Sequence, residues 1–166
     1  MAWIFTESEV VPQAISETST TQNMPLGAIR RAKDSDYGSG EFIYLKGVAS
    51  TVVGSLVTYN ALSGVTALAP NTANLGQPVA AAMSANIANQ YGWYQICGTA
   101  VFKKTAVQVD PNVAMFLSTT VGRITDVVSA GKQVIGARSA NAATVTTTVS
   151  TLEVTINRPH LQGQIT

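Results

Sequence analysis

The chain of 166 residues contains one histidine, His160, and one cysteine, Cys97. No disulfide can form within it, and no zinc-ligand motif can be drawn from it. A Ser-His-Asp triad needs a base held by a buried carboxylate and touching a nucleophile. His160 instead follows Pro159 in the C-terminal tail, and no Gly-x-Ser-x-Gly elbow is present. Cys97 lies in an uncharged stretch with nothing beside it in sequence to draw out a thiolate. Charge is scarce as well. Charged residues make up 11% of the chain, against roughly 25% in an ordinary soluble domain. The net charge is +1 and no basic stripe exists, which argues against phosphate neutralisation and a nucleic-acid partner. Apolar runs are short, and none approaches the ~18 residues of a spanning helix, so no membrane segment is expected. The N-terminus lacks the basic region and long apolar run of a signal peptide, and no Asn-x-Ser/Thr acceptor occurs, which suits synthesis in a cytoplasm.

The missing charge is concentrated in one place. No Asp, Glu, Lys, Arg or His occurs from Gly47 to Phe102. A free surface normally keeps charge for solubility. An uncharged folded stretch of this length points to an outer face covered by another copy or another protein.

Residues 1–25 differ from the rest. They carry Glu7, Glu9 and Glu17 but no Lys or Arg, and the polar run from Ser16 to Asn23 has no period. This reads as an extended arm. Its apolar residues Trp3, Ile4, Phe5, Met24 and Leu26 are candidate contacts, either folded back on their own domain or anchored on a neighbour. From Phe42 onward the pattern is strand, turn, strand. Phe42–Leu45, Leu56–Tyr59, Val65–Leu68, Pro78–Met83, Trp93–Cys97, Val113–Leu117, Arg123–Val127 and Val134–Arg138 read as strands. In the last strand, Leu152, Val154 and Ile156 alternate with Thr151, Glu153 and Thr155. The best helical candidate is a short turn near 85–90. The predicted fold is all-β: a small antiparallel β-barrel or β-tulip-like body over 26–166. It comprises two possibly related strand sets, about 42–98 and 103–157. The similarity aligns Leu56–Tyr59 with Phe116–Thr119, and Val79–Asn86 with Val134–Asn141.

No constellation of reactive residues rises above this background. The acids are scattered, whereas glycosidase chemistry needs two flanking one bond. Asp34 to Glu41 resembles a calcium loop, but lacks the oxygen ligand at the fifth position and the glycine at the sixth. A polar turn before a strand explains it better. Gly131-Lys132-Gln133 lacks the first glycine and the hydroxyl residue of a phosphate loop. Tyr91, Trp93 and Tyr94 could stack on a sugar or base, but alternation puts Trp93 and Tyr94 on opposite faces, and core packing is the better reading. No cofactor or metal is expected, and the chain reads as a non-enzyme.

Several segments together resemble the head decoration (cement) proteins of tailed bacteriophages. They are Leu26–Ala32, Gly40–Gly47, the glycine before Leu56–Tyr59, Val79–Met83, Gly92–Gly98, and Val134–Arg138 after a glycine-centred hairpin. The resemblance covers roughly residues 24–157. It implies a β-barrel or β-tulip-like domain that trimerises on the outer surface of an icosahedral head. There it would clamp neighbouring major capsid protein subunits after the shell expands. It also implies an N-terminal arm that orders on the shell, with neither nucleic acid nor membrane as partner. Rival readings are a glycan-binding fibre or spike module, which needs exposed aromatics, and a hydrolase built on the scattered acids or His160.

Overall fold

The computed structural model describes residues 2–6 and 10–164, so Glu7 and Glu9 lie outside the described residues. The fold is all-β, with no helix among the described residues. Eleven strands follow in order: β1 Ile4–Phe5, β2 Ile29–Asp34, β3 Gly38–Lys46, β4 Leu56–Tyr59, β5 Thr66–Leu68, β6 Val79–Ala82, β7 Tyr91–Lys103, β8 Ala114–Leu117, β9 Ile124–Thr125, β10 Gln133–Ser139 and β11 Thr151–Leu161. They form one antiparallel sheet in the order β1-β2-β3-β7-β11-β10-β8-β9, with β6, β4 and β5 branching from β7. The ladder does not close, so a barrel in the strict sense is not what the strands form. The segment over 85–90 is irregular with a turn at Ala88 and Asn89, not a helix.

β7 is the axis of the molecule. Its first half pairs with β3 and β6, and its second half with β11. Gly98 turns the strand between the halves at φ 99°. A Cβ there would lie 2.4 Å from the Ser39 carbonyl oxygen, so a larger residue is barred by space as well as by conformation. The Gln95 amide ties this bend together, donating to the Cys97 and Thr99 carbonyls at 3.1 and 3.0 Å.

The two strand sets share one wiring. In the first, Phe42, Gln95, Ala81 and Leu56 lie side by side across β3, β7, β6 and β4. In the second, Thr99, Thr155, Arg138 and Ala114 lie side by side across β7, β11, β10 and β8. The β4–β5 hairpin pairs Tyr59 with Thr66 and closes its turn with Asn60 N–H on Val65 O. The β8–β9 hairpin pairs Leu117 with Ile124 and closes with Ser118 N–H on Arg123 O. A single parallel bridge then returns each hairpin to the end of its set's first strand, Val65 to Lys46 and Ile124 to Lys104. The pairing register equates Leu56 with Ala114 and Val79 with Gly136. Each of these sequence alignments is therefore displaced by two residues.

The main core lies over β7, β10 and β11 and includes Phe102, Met115, Leu152, Val154 and Ile156. Leu56 and Ala81 of the first set belong to it too. β3 and the first half of β7 are apolar on both faces. Ile43, Leu45, Tyr94 and Ile96 pack against β4 and β6. Phe42, Tyr44 and Trp93 face the other way. A sheet buried on both faces reads as an unbroken apolar run and needs a cover on each side.

Candidate functional site

The second cover is the N-terminal arm. Trp3 meets Phe42 edge-on with ring centroids 4.9 Å apart, and Phe5 meets Trp93 at 5.3 Å. Tyr44 lies edge-on to Trp93 and stacks on Tyr91. β1 joins the sheet edge through Ile4↔Lys33 and Phe5↔Ala32. Of the five contact residues predicted from sequence, Trp3, Phe5, Met24 and Leu26 therefore pack on their own domain. Ile4 points outward, 71% exposed.

Gln13 fixes the arm, and the sequence did not single it out. Its side chain is buried; Nε2 donates to the Tyr91 and Glu17 carbonyls at 2.8 and 2.9 Å. Its Oε1 accepts from the Tyr44 hydroxyl at 2.7 Å and from Asn23 at 3.2 Å. Its backbone carbonyl accepts from the Trp93 indole at 3.0 Å. Ser19 and Tyr91 exchange backbone hydrogen bonds. The arm is thus extended in shape but seated along much of its length. The available signal was indirect: Phe42–Leu45 and Trp93–Ile96 are too continuously apolar for a sheet with one wet face.

The start of the arm is held electrostatically. The Asp34 carboxylate accepts from the backbone N–H groups of Asp36 at 2.9 Å, Ala2 at 2.6 Å and Tyr37 at 3.1 Å. These bonds, that of Asp36 foremost, hold its pKa below the usual carboxylate value. The segment from Asp34 is the β2–β3 turn. Glu41 on β3 pairs with Arg31 and Arg158 at 3.2 and 3.0 Å, joining β2, β3 and β11 on the surface.

The uncharged segment supplies β4, β5, β6 and nearly all of β7. Its strands are buried, and its turns carry exposed apolar side chains. Leu62 stands at the β4–β5 tip, 99% exposed, and Val65 and Ile87 are partly exposed. These three share one end of the first set. Gly47 N–H bonds Gln90 O and Lys46 N–H bonds Gly64 O. A Cβ on Gly47 would lie 1.9 Å from the Asn86 carbonyl oxygen. Lys46 is the charged residue nearest in sequence to this end.

The remaining candidates are placed as follows. Trp93 and Tyr94 are both fully buried, and Tyr91 is half-buried beneath the arm, so this aromatic trio offers no stacking platform. His160 lies on β11 opposite Ile135 and bridges Pro78. Cys97 is half-buried, with Sγ 3.9 Å from Asn157 Oδ1. Among the described residues, no group of three or more His, Cys, Asp or Glu is arranged to hold a metal. Lys104 is the buried charge that sequence reasoning missed. Its Nζ donates to the carbonyls of Val107, Thr146 and Thr105 at 2.6, 3.0 and 3.2 Å. Burial pushes its pKa down and the charge of Asp126 partly offsets this. Three satisfied donors make it a clasp between the end of β7 and the 141–150 loop. No family model and no curated protein matches the chain.

Proposed function

We propose that this chain is a structural protein of a tailed-phage virion: a trimeric decoration protein on the outer surface of the icosahedral head. In this reading it binds neighbouring major capsid protein subunits of the expanded shell and holds them together. The observation that carries the reading is the uncharged strand set. Interface cores are depleted of charge, and a neutral segment ending in exposed Leu62, Val65 and Ile87 suits burial against protein better than solvent. The resemblance of residues 24–157 to head decoration proteins supports the same role.

The mechanism is linkage. A ligand that binds only the assembled lattice stabilises it by RT ln(1 + [L]/Kd), and three symmetric contacts per trimer add avidity. The arm contributes through β1, an edge strand whose outer side can take a further strand from a capsid subunit, with Ile4 projecting beside it. The protein is made in the host cytoplasm and ends on the capsid exterior, with neither nucleic acid nor membrane as partner.

Light scattering on the purified chain and co-sedimentation with undecorated heads test this. A trimer that pellets with expanded heads, and ignores isolated capsid subunits, is the expected result. A chain that leaves expanded heads bare sinks the proposal.

A further inference from the structure

A groove of about 480 Å³ opens mainly on the second strand set. Its floor is apolar: Val101 on β7, Leu152 on β11, and Val145 and Val149 from the 141–150 loop. Its polar lining comes from Tyr37, Asn141, Thr144, Thr146, Thr151 and Glu153. None of the lining residues carries a positive charge.

The hydrogen bonding of this lining is incomplete. Asn141 donates through Nδ2 to the Ala143 and Val109 carbonyls at 2.7 and 3.3 Å. Its Oδ1 is buried and accepts nothing. The Tyr37 hydroxyl reaches Glu153 Oε1 only at 3.4 Å, near the outer limit of such a bond. No cation pairs with Glu153 among the described residues. The Thr144 hydroxyl is already donated to Asp110 at 2.8 Å and that of Thr146 is shared with Thr148 at 3.0 Å. The groove therefore offers one phenol, an acidic acceptor and the Thr151 hydroxyl above an aliphatic floor, with the orphaned Asn141 oxygen buried behind them.

We infer that this groove binds a neutral saccharide. A sugar presents aliphatic C–H faces for Tyr37 and the valines. It also presents hydroxyls that donate to Glu153 while accepting from Thr151. An anionic ligand would meet Glu153 with no compensating cation, so phosphate, sulfate and sialylated groups are disfavoured. A few convergent polar groups over an apolar floor is the ordinary make-up of a small-ligand site. The inference does not depend on the capsid role. It moves any glycan recognition from the buried Trp93 to the groove beside Tyr37.

The test is a titration of the isotope-labelled full chain with maltotriose, chitotriose and a sulfated disaccharide, followed by amide chemical shifts. Shifts confined to Tyr37, residues 141–146 and residues 151–153, with either neutral sugar and not the sulfated one, are expected. Tyr37→Ala and Glu153→Gln should each weaken that binding by about tenfold or more, equivalent to ~1.4 kcal/mol, while circular dichroism stays native. Saturating neutral sugar without shifts in the groove overturns the inference. So does preferential binding of the sulfated probe, or affinity unchanged in both variants. A control titration with a short lysine-containing peptide is expected to leave the groove unshifted; tighter binding of the peptide would mean that Glu153 serves a cation and would equally overturn it.

Discussion

At the residue scale, Gln13 and Lys104 carry more than their positions in the sequence suggest. Truncating Gln13 leaves the buried Tyr44 hydroxyl without its acceptor, while the Tyr91 carbonyl keeps the Ser19 N–H. Gln13→Ala should cost about 1–3 kcal/mol, the cost of one buried polar group left unpaired. Urea denaturation followed by tryptophan emission would measure it, and a loss within error would remove Gln13 from the arm's anchorage. Lys104→Met keeps the bulk but abandons three carbonyls. It should speed hydrogen exchange at Thr146 and its neighbours while leaving the far side of the sheet protected. Neither residue was legible beforehand. A glutamine in a polar arm and a lysine after a strand both read as solvent-facing, because sequence shows the donors and not the acceptors that collect around them. Gly47 is different in kind. The clash of a Cβ with the Asn86 carbonyl involves backbone, which cannot swing aside, so Gly47→Ala should destabilise by ~3 kcal/mol or more.

At the scale of elements, the arm is the part the sequence described least well. Its one strand among the described residues, β1, has two residues and is too short to show alternation, and its polar run from Ser16 to Asn23 has no period because it follows the surface of another element. The body was legible for the opposite reason. Period-two alternation over 151–156 and the glycine-bearing turns at 60–64 and 119–122 are local signals, and β11 and both hairpins lie where these signals put them. The internal similarity was legible only to within two residues. A slip of two keeps every side chain on its own face, so alternation cannot distinguish the registers. The arm also carries a pH dependence. The carboxyl of Asp34 has a lowered pKa in the folded chain. The stability it contributes is therefore present above the unfolded value of 3.8 and is lost as pH falls through the folded value below it. Acid should release β1 before the body unfolds, and Asp34→Asn should release it at neutral pH. Limited proteolysis near Thr6 across pH would show both, and equal cleavage of the two proteins at every pH would disprove the link.

At the scale of the whole molecule, the arm cannot be trimmed freely. Removing residues 1–22 strips Gln13 and Ile15 from the seat and uncovers Phe42, Tyr44 and Trp93. The cleaner experiment deletes residues 1–6 alone. That variant should fold and keep its oligomeric state, yet bind expanded heads more weakly; full binding would exclude β1 from the capsid contact. The phenols set the alkaline limit. Burial raises the pKa of Tyr44, Tyr59 and Tyr94 above the ordinary value of 10.0. Unfolded tyrosine ionises first, so stability should fall once pH exceeds about 10. Tyr44→Phe should flatten that decline, as followed by phenolate absorbance, in proportion to the share of one tyrosine.

The seat of the arm also dictates an order of events during synthesis. Trp3 and Phe5 leave the ribosome ahead of their platform, which includes Trp93, and the bond from that indole to Gln13 spans 80 positions. β3 cannot present Phe42 and Tyr44 on a finished sheet until β7 arrives to pair with it. Trp3 and Phe5 are thus covered only after the residues through Trp93 have emerged. For that interval the nascent chain carries Trp3 and Phe5 uncovered, followed by the polar run from Ser16 to Asn23.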